Sequence, residues 1–164
     1  MQGVKYISSM VGCQNKWACK ETQSGIYFVD NNNPGIYRVT DDDNKIVNLT
    51  KTKYMQKWFE TVNVGLSGSW SPVNPTNGLI SYDASLDEVL FTTLNDSLVY
   101  SPQLDCFVGF FSYTSPAIHT LEKYPITVDT NCKVYRLREG SYSYFYDKYK
   151  PFGLSIVAYP FSEG

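Results

Sequence analysis

Candidate catalytic chemistry in this chain rests on His119, because the 164-residue sequence contains a single histidine. A Ser–His–Asp triad also needs a serine presented on a Gly-x-Ser-x-Gly turn, and no such motif occurs in the sequence. His119 falls in the run Pro116-Ala117-Ile118-His119-Thr120, which we interpret as a connection between two strand-rich segments. We therefore predict a structural or solvated histidine and assign no catalytic residue.

Two runs of polar residues have the side chains of metal ligands but not the spacing. Asp41-Asp42-Asp43 could suggest calcium, yet an EF-hand loop needs a glutamate at its twelfth position. The sequence has Leu49 to Thr52 in that region. Polar hairpin turns explain both this run and Asn31-Asn32-Asn33. The sequence also lacks a Gly-rich phosphate loop, so we predict no metal site and no cofactor.

The four cysteines lack the spacing of a zinc site, since they form no Cys-x-x-Cys pair and have no histidine near them. Their even number permits two disulfides in three pairings, and the sequence leaves these open. We favour buried thiols, because a core of this size needs no cross-links. The residues concerned are Cys13, Cys19, Cys106 and Cys132.

Aromatic side chains are the most unusual feature of the composition, with 14 Tyr, 9 Phe and 3 Trp making up 16% of the chain. Side chains two apart on a strand share a face, so a row of tyrosines near the end of the chain could form a binding surface. Such a row could stack on sugar rings, pack on another subunit, or cover an internal core. We favour the core or a protein–protein interface over glycan binding. The candidate interaction residues are Tyr142, Tyr144, Tyr146 and Tyr149, with Trp70 in a separate loop.

A recurring meander positions these residues. Short strand patterns alternate with turns rich in Asn, Asp and Gly. This pattern occurs three times, as blade-like repeats at about 24–50, 79–113 and 124–159. Arg38 and Arg136 occupy matching places in the first and third copies. Four-stranded meanders repeated in this way are typical of β-propellers. We predict an all-β, β-propeller-like fold of about three antiparallel blades, forming one unit over 1–164.

The insertion 51–78 separates the first two repeats and has a different pattern. Tyr54 and Trp58, like Met55 and Phe59, stand four residues apart, which predicts one short amphipathic helix over Thr52–Glu60. A threonine is available as its cap. The remainder, 65–78, is a loop rich in Gly, Pro, Ser and Asn.

Overall charge and hydropathy restrict the partners. A formal net charge of -2 argues against nucleic acid, which needs a basic surface. The first residues lack the apolar core of a signal peptide, and no run approaches the roughly 20 apolar residues of a membrane helix. The sequence therefore predicts a soluble protein with no membrane insertion.

Seven segments of the sequence together have a distinctive pattern: 12–17, 24–30, 35–37, 79–83, 87–92, 98–101 and 107–113. These segments resemble the large muzzle or stabilisation proteins in the tails of crAss-like gut bacteriophages. The resemblance covers about 12–115 well and 149–160 loosely. This chain is much shorter than those proteins, and its 65–78 loop lacks a counterpart in them.

This resemblance implies a non-enzymatic structural module of a phage tail, located in the virion and assembled in the bacterial cytoplasm. Three blades do not close a ring, so we predict self-association or a longer parent chain within the same tail assembly. A carbohydrate- or receptor-binding module using exposed aromatics is the alternative. A propeller-type hydrolase is less favoured, because only Arg38, Arg136 and Arg138 supply guanidinium groups.

Overall fold

Antiparallel sheets make up most of the computed structural model. The described residues are 8–13, 18–30, 32–40, 45–63, 79–92, 97–111, 117–121, 124–128, 132–137, 140–141, 144–145 and 148–149. Within these ranges, strands greatly outnumber helices, and all sheet pairings are antiparallel. The predicted all-β class is therefore confirmed. No helix in these ranges is long and apolar enough to span a membrane.

The first sheet is a four-stranded meander of β1 (Cys19–Thr22), β2 (Gly25–Asp30), β3 (Gly35–Val39) and β4 (Ile46–Asn48). Strands β2, β3 and β4 follow the predicted pattern, whereas β1 was not predicted. The segment of β1 is mostly polar, and pairing with the backbone of β2 makes it a strand. Hairpin pairing, rather than a hydrophobic pattern, thus defines this edge.

The second sheet is another four-stranded meander, formed by β5 (Leu79–Asp83), β6 (Glu88–Thr92), β7 (Ser97–Ser101) and β8 (Cys106–Phe111). All four strands were predicted. The first three are almost continuously buried where burial is described, as expected for a sheet covered on both faces. A register shift between β7 and β8 puts a bulge at the outer edge.

The third sheet contains β9 (Ala117–Leu121), β10 (Tyr124–Val128) and β11 (Val134–Arg136), in the order β11-β10-β9. It begins earlier than the predicted repeat at 124, because the presumed connection around His119 is itself a strand. The strand predicted over 141–146 is described only at β12 (Tyr144–Phe145), which pairs with β13 (Lys148–Tyr149) in a hairpin. Within the described part of the chain, that hairpin is not joined to β11.

The helical insertion begins earlier than predicted and contains two helices, α1 (Leu49–Thr52) and α2 (Gln56–Asn63). The predicted single helix over Thr52–Glu60 is therefore wrong in its extent. Asn48 caps α1 by accepting a hydrogen bond from the Lys51 amide, at 3.0 Å. Tyr54 lies between the helices at a φ of 60° and is 95% exposed, so it does not continue an apolar stripe with Trp58.

The main core lies between the first two sheets. Strand alternation places Tyr27 and Val29 of β2 with Ile36 of β3 on the face that packs against the second sheet. Phe59 of α2 fills the same core, so the insertion is part of the packing between the sheets. The facing residues of the second sheet are Ile80, Tyr82, Val89, Phe91, Leu98 and Tyr100.

The opening strands of the three sheets are neighbours, with β5 lying beside both β1 and β9. The second sheet also has buried residues on its other face, including Leu90 and Val99. The sheets therefore follow one another in space in the same order as in the sequence. The described residues do not form a closed ring of sheets.

Candidate functional site

Most of the predicted interaction residues cannot be placed. Tyr142, Tyr146 and Trp70 lie outside the described residues. Tyr144 and Tyr149 are direct partners in the register of the β12–β13 hairpin. Their proposed role as an interaction surface stays a prediction.

His119 pairs with Ile126 in the register of β9 and β10, so it does not belong to a connection between sheets. The described ranges contain no group of three or more His, Cys, Asp or Glu residues able to hold a metal ion. Asp41 to Asp43 lie outside these ranges. Asn32 and Asn33 do form a turn, and their two backbone amides donate to the Asp30 carboxylate.

The prediction of thiols rather than disulfides is confirmed for the four cysteines, but their predicted burial is wrong. Cys13, Cys19 and Cys132 are exposed, and Cys106 is half-buried. The Cys13 thiol donates a hydrogen bond to the Ala18 carbonyl at 3.3 Å. Partial burial and the neighbouring Cys13 and Glu21 raise the pKa of Cys19, which lowers its thiolate content.

Two hairpins of the second sheet share a motif that the sequence reasoning missed. Tyr82 donates its hydroxyl hydrogen to Asp87 at 2.8 Å, and Tyr100 donates to Asp105 at 2.5 Å. Each aspartate ends a four-residue turn in the left-handed region, with φ of 52° and 51°. The shared spacing Tyr-x-x-x-Leu-Asp is the sequence signal that could have revealed this motif.

The second of these hairpins joins three parts of the fold at one carboxylate. Lys53, which follows α1, reaches Asp105 Oδ2 with its Nζ at 2.5 Å. Arg38 of the first sheet places Nη1 3.9 Å from Asp105 Oδ1 and 3.4 Å from the Tyr100 hydroxyl. We call Arg38, Lys53, Tyr100 and Asp105 the junction network. It links the first sheet, the insertion and the second sheet.

Aromatic rings extend the junction network into the core. Tyr100 lies 5.8 Å from the Tyr27 ring across the two sheets and 5.3 Å from Phe107 on its own sheet. Tyr27 donates to or accepts from Ser24 through its hydroxyl, at 2.8 Å. Tilted and edge-to-face rings add to the energy of simple burial. The tyrosines therefore serve both the apolar core and its polar rim.

The electrostatics of the junction network favour a charged aspartate beside a neutral tyrosine. Hydrogen bonds from Lys53 and Tyr100 lower the pKa of Asp105. Burial and the bond to Asp105 raise the pKa of Tyr100, and burial and Asp87 raise the pKa of Tyr82 to about 12. Both tyrosines therefore remain neutral donors at neutral pH. This arrangement can hold the first sheet, the insertion and the second sheet together.

These features define a class of β-meander proteins in which two antiparallel sheets pack face to face around one core and a polar hairpin joins them at the rim. The chain belongs to the crassvirus muzzle protein family, whose sequence model matches residues 1–123. It is 33% identical over 159 residues to the muzzle protein of Bacteroides phage crAss001. The alignment covers 96% of this chain but only 11% of that relative. The predicted resemblance to muzzle proteins is confirmed.

Proposed function

We propose that this chain is a non-enzymatic structural module of a bacteriophage virion. Membership of the muzzle family is the observation that carries this proposal. The junction network agrees with it, because its charged groups are engaged with one another between packed elements. The role of the module is to hold a fixed shape and to present faces to neighbouring proteins.

The architecture we propose is part of a β-propeller. Three successive antiparallel sheets with adjacent opening strands support this arrangement. The proposed unit spans 1–164, with the predicted repeats at about 24–50, 79–113 and 124–159 and the insertion 51–78; β1 and β9 extend the first and third repeats to earlier residues. Because three blades are too few to close a ring, other sheets complete it, from further copies or from a longer chain.

We place the module in the tail, assembled with other subunits in the host cytoplasm. Immunogold electron microscopy of the phage that encodes the chain tests this placement, using antibodies raised against residues 1–164. We expect label at the tail of intact particles. Label on the capsid alone, or no label on particles whose capsid antibodies bind normally, would refute the proposal.

The tyrosines near the end of the chain are proposed as a contact with those subunits. Tyr144 and Tyr149 are backbone partners in the register of β12 and β13, which brings two of the four tyrosine positions together. A Tyr144→Ala variant should lose incorporation into particles while keeping the circular dichroism spectrum of the parent. A glycan array distinguishes this role from the alternative, a carbohydrate- or receptor-binding module. Glycan binding by the parent chain that is lost in Tyr144→Ala would favour the alternative.

A further inference from the structure

The third sheet repeats the geometry of the first sheet at one particular face. Arg38 on the third strand of the first sheet pairs with Tyr27, and Arg136 on the third strand of the third sheet pairs with Ile126. Two residues before each arginine, Ile36 and Val134 occupy equivalent positions. The two sheets therefore present matching faces, each with an arginine beside apolar side chains.

The matching faces differ in what covers them. On the first sheet, Tyr27 and Ile36 are 0% exposed, because the second sheet packs on that face. On the third sheet, Val134 at the position of Ile36 is 66% exposed, whereas Ile126 at the position of Tyr27 is half-buried. The neighbouring Tyr124 is 38% exposed. Arg136 is also exposed, with its Cζ 3.3 Å from the centre of the Tyr124 ring. An apolar surface that is core in one sheet is thus solvent-exposed in the other.

The exposed face of the third sheet points away from the second sheet. Pro125 and Thr127 alternate with the exposed residues along β10 and are buried. Strands β9 and β10 lie against β5, which places the second sheet on that buried side. The exposed face therefore continues the stacking direction set by the first two sheets.

The opposite end of the stack is already covered. Val11 packs on the outer face of the first sheet, against Phe28 and Tyr37. The buried Asp30 carboxylate anchors this segment by accepting a hydrogen bond from the Gly12 amide at 2.9 Å. A second copy of the chain could pack the outer face of its first sheet on the third sheet only by displacing the segment that contains Val11 and Gly12.

We propose that the exposed face of the third sheet is the docking surface for a further antiparallel sheet of a muzzle protein. That sheet presents a Tyr-x-x-x-Leu-Asp hairpin to Arg136, as Tyr100 and Asp105 are presented to Arg38. The inference rests on the proposed structural function. A family member in which this region is only 11% of the length has ample chain to supply such a sheet. The docking surface consists of Tyr124, Ile126, Val128, Val134 and Arg136.

Site-specific photo-crosslinking tests this proposal in the full-length muzzle protein of Bacteroides phage crAss001. The crosslinking amino acid is placed at the position aligned with Val134, and a matched control carries it at the position aligned with Ile36. We expect the first to capture a Tyr-x-x-x-Leu-Asp hairpin from outside the aligned region of the same polypeptide. The control should capture the neighbouring sheet inside the aligned region.

Three results would overturn the docking surface: capture of the aligned region from another copy, capture of a different protein, or no capture while the control succeeds. Because immunogold labelling reports virion location independently, a failed crosslink with tail labelling refutes only the docking surface.

A second measurement uses the present chain and does not depend on the crosslinker. Ile36→Ala should lower the melting temperature by about 10 °C, whereas Val134→Ala should change it by less than about 2 °C. Equal losses would mean that the third-sheet face is already covered, which contradicts the proposal. Light scattering adds a further check. Association of the chain that Val134→Lys abolishes would identify a second copy as the occupant and overturn the proposal.

Discussion

At the scale of single residues, Asp105 carries the densest set of polar contacts between elements. Its two carboxylate oxygens engage Tyr100, Lys53 and Arg38. The side chain is 54% exposed, so water screens these contacts and each contributes modestly. Its left-handed backbone suits Asp and Asn better than residues with branched side chains.

An Asp105→Asn substitution separates charge from backbone conformation. We expect the free energy of unfolding to fall by about 1 kcal/mol at neutral pH, because the amide keeps the left-handed turn but loses the ionic contacts. Asp87→Asn is the matched control, and it should cost less, since Tyr82 is its described side-chain donor. Urea unfolding of the three proteins gives the comparison, and equal losses would contradict it.

The free energies of unfolding of wild type and Asp105→Asn should converge in acid. The folded-state pKa of Asp105 is lowered, so its stabilisation is present above the ordinary Asp pKa and is lost as the pH falls through the folded value. We therefore expect the difference between wild type and Asp105→Asn to shrink below about pH 4. A difference that is unchanged at pH 2 would argue against a charge-based role.

Alkaline pH tests the tyrosine of the other hairpin. The folded-state pKa of Tyr82 is raised to about 12 from an ordinary value of 10.0. Its stabilisation is complete below pH 10 and is lost as the pH rises towards 12. The free energy of unfolding of wild type, measured in urea, should fall more steeply over this pH range than that of Tyr82→Phe. Parallel curves would show that the hydroxyl is not coupled to folding.

At the scale of elements, the turn between β1 and β2 depends on a glycine. Gly25 has a φ of +128°, and a Cβ built there would lie 2.2 Å from the Val39 carbonyl oxygen. The hairpin therefore brings three strands close together at a point where a side chain does not fit.

Gly25→Ala should lower the free energy of unfolding by at least about 2 kcal/mol, from backbone strain and the clash with β3. Gly12→Ala is the control, because a Cβ at Gly12 would meet nothing within 4 Å. Thermal unfolding of both variants gives the test. A Gly25→Ala protein as stable as the control would mean that the turn adjusts at little cost.

At the scale of the whole molecule, the first two sheets and the insertion share one core. Leu98 of the second sheet is fully buried in the cluster that contains Tyr27 of the first sheet and Phe59 of α2. The sheets should therefore unfold together rather than as independent repeats. The junction network strengthens this coupling at the rim.

Leu98→Ala should lower the free energy of unfolding by about 3 kcal/mol, because it leaves a cavity between the sheets. Native-state hydrogen exchange should then become faster in β2 as well as in β6. Leu104→Ala is the same chemical change at a 65% exposed position and should have little effect. If protection falls in the second sheet alone, the two sheets are not one cooperative unit.

Local sequence pattern was enough to predict the all-β class and much of the strand pattern. Alternating apolar residues separated by Asn, Asp and Gly turns were enough to predict the strands of the first two sheets, apart from β1. These signals are local, since a strand and its turn lie within about ten residues. The resemblance to muzzle proteins also followed from the sequence.

Which faces meet depends on packing between distant segments. The contact between Arg38 and Tyr100 joins residues 62 positions apart, and strand alternation does not specify such a pairing. The helices, β9 and the hydrogen bonds of Tyr82 and Tyr100 were misread or missed for a different reason. Hydrogen bonds between near neighbours, rather than the hydrophobic pattern, determine them: an asparagine cap, a partner strand and an aspartate across a turn. Pattern shows which residues share a face, whereas packing decides whether that face becomes a core or, as in the third sheet, an exposed surface.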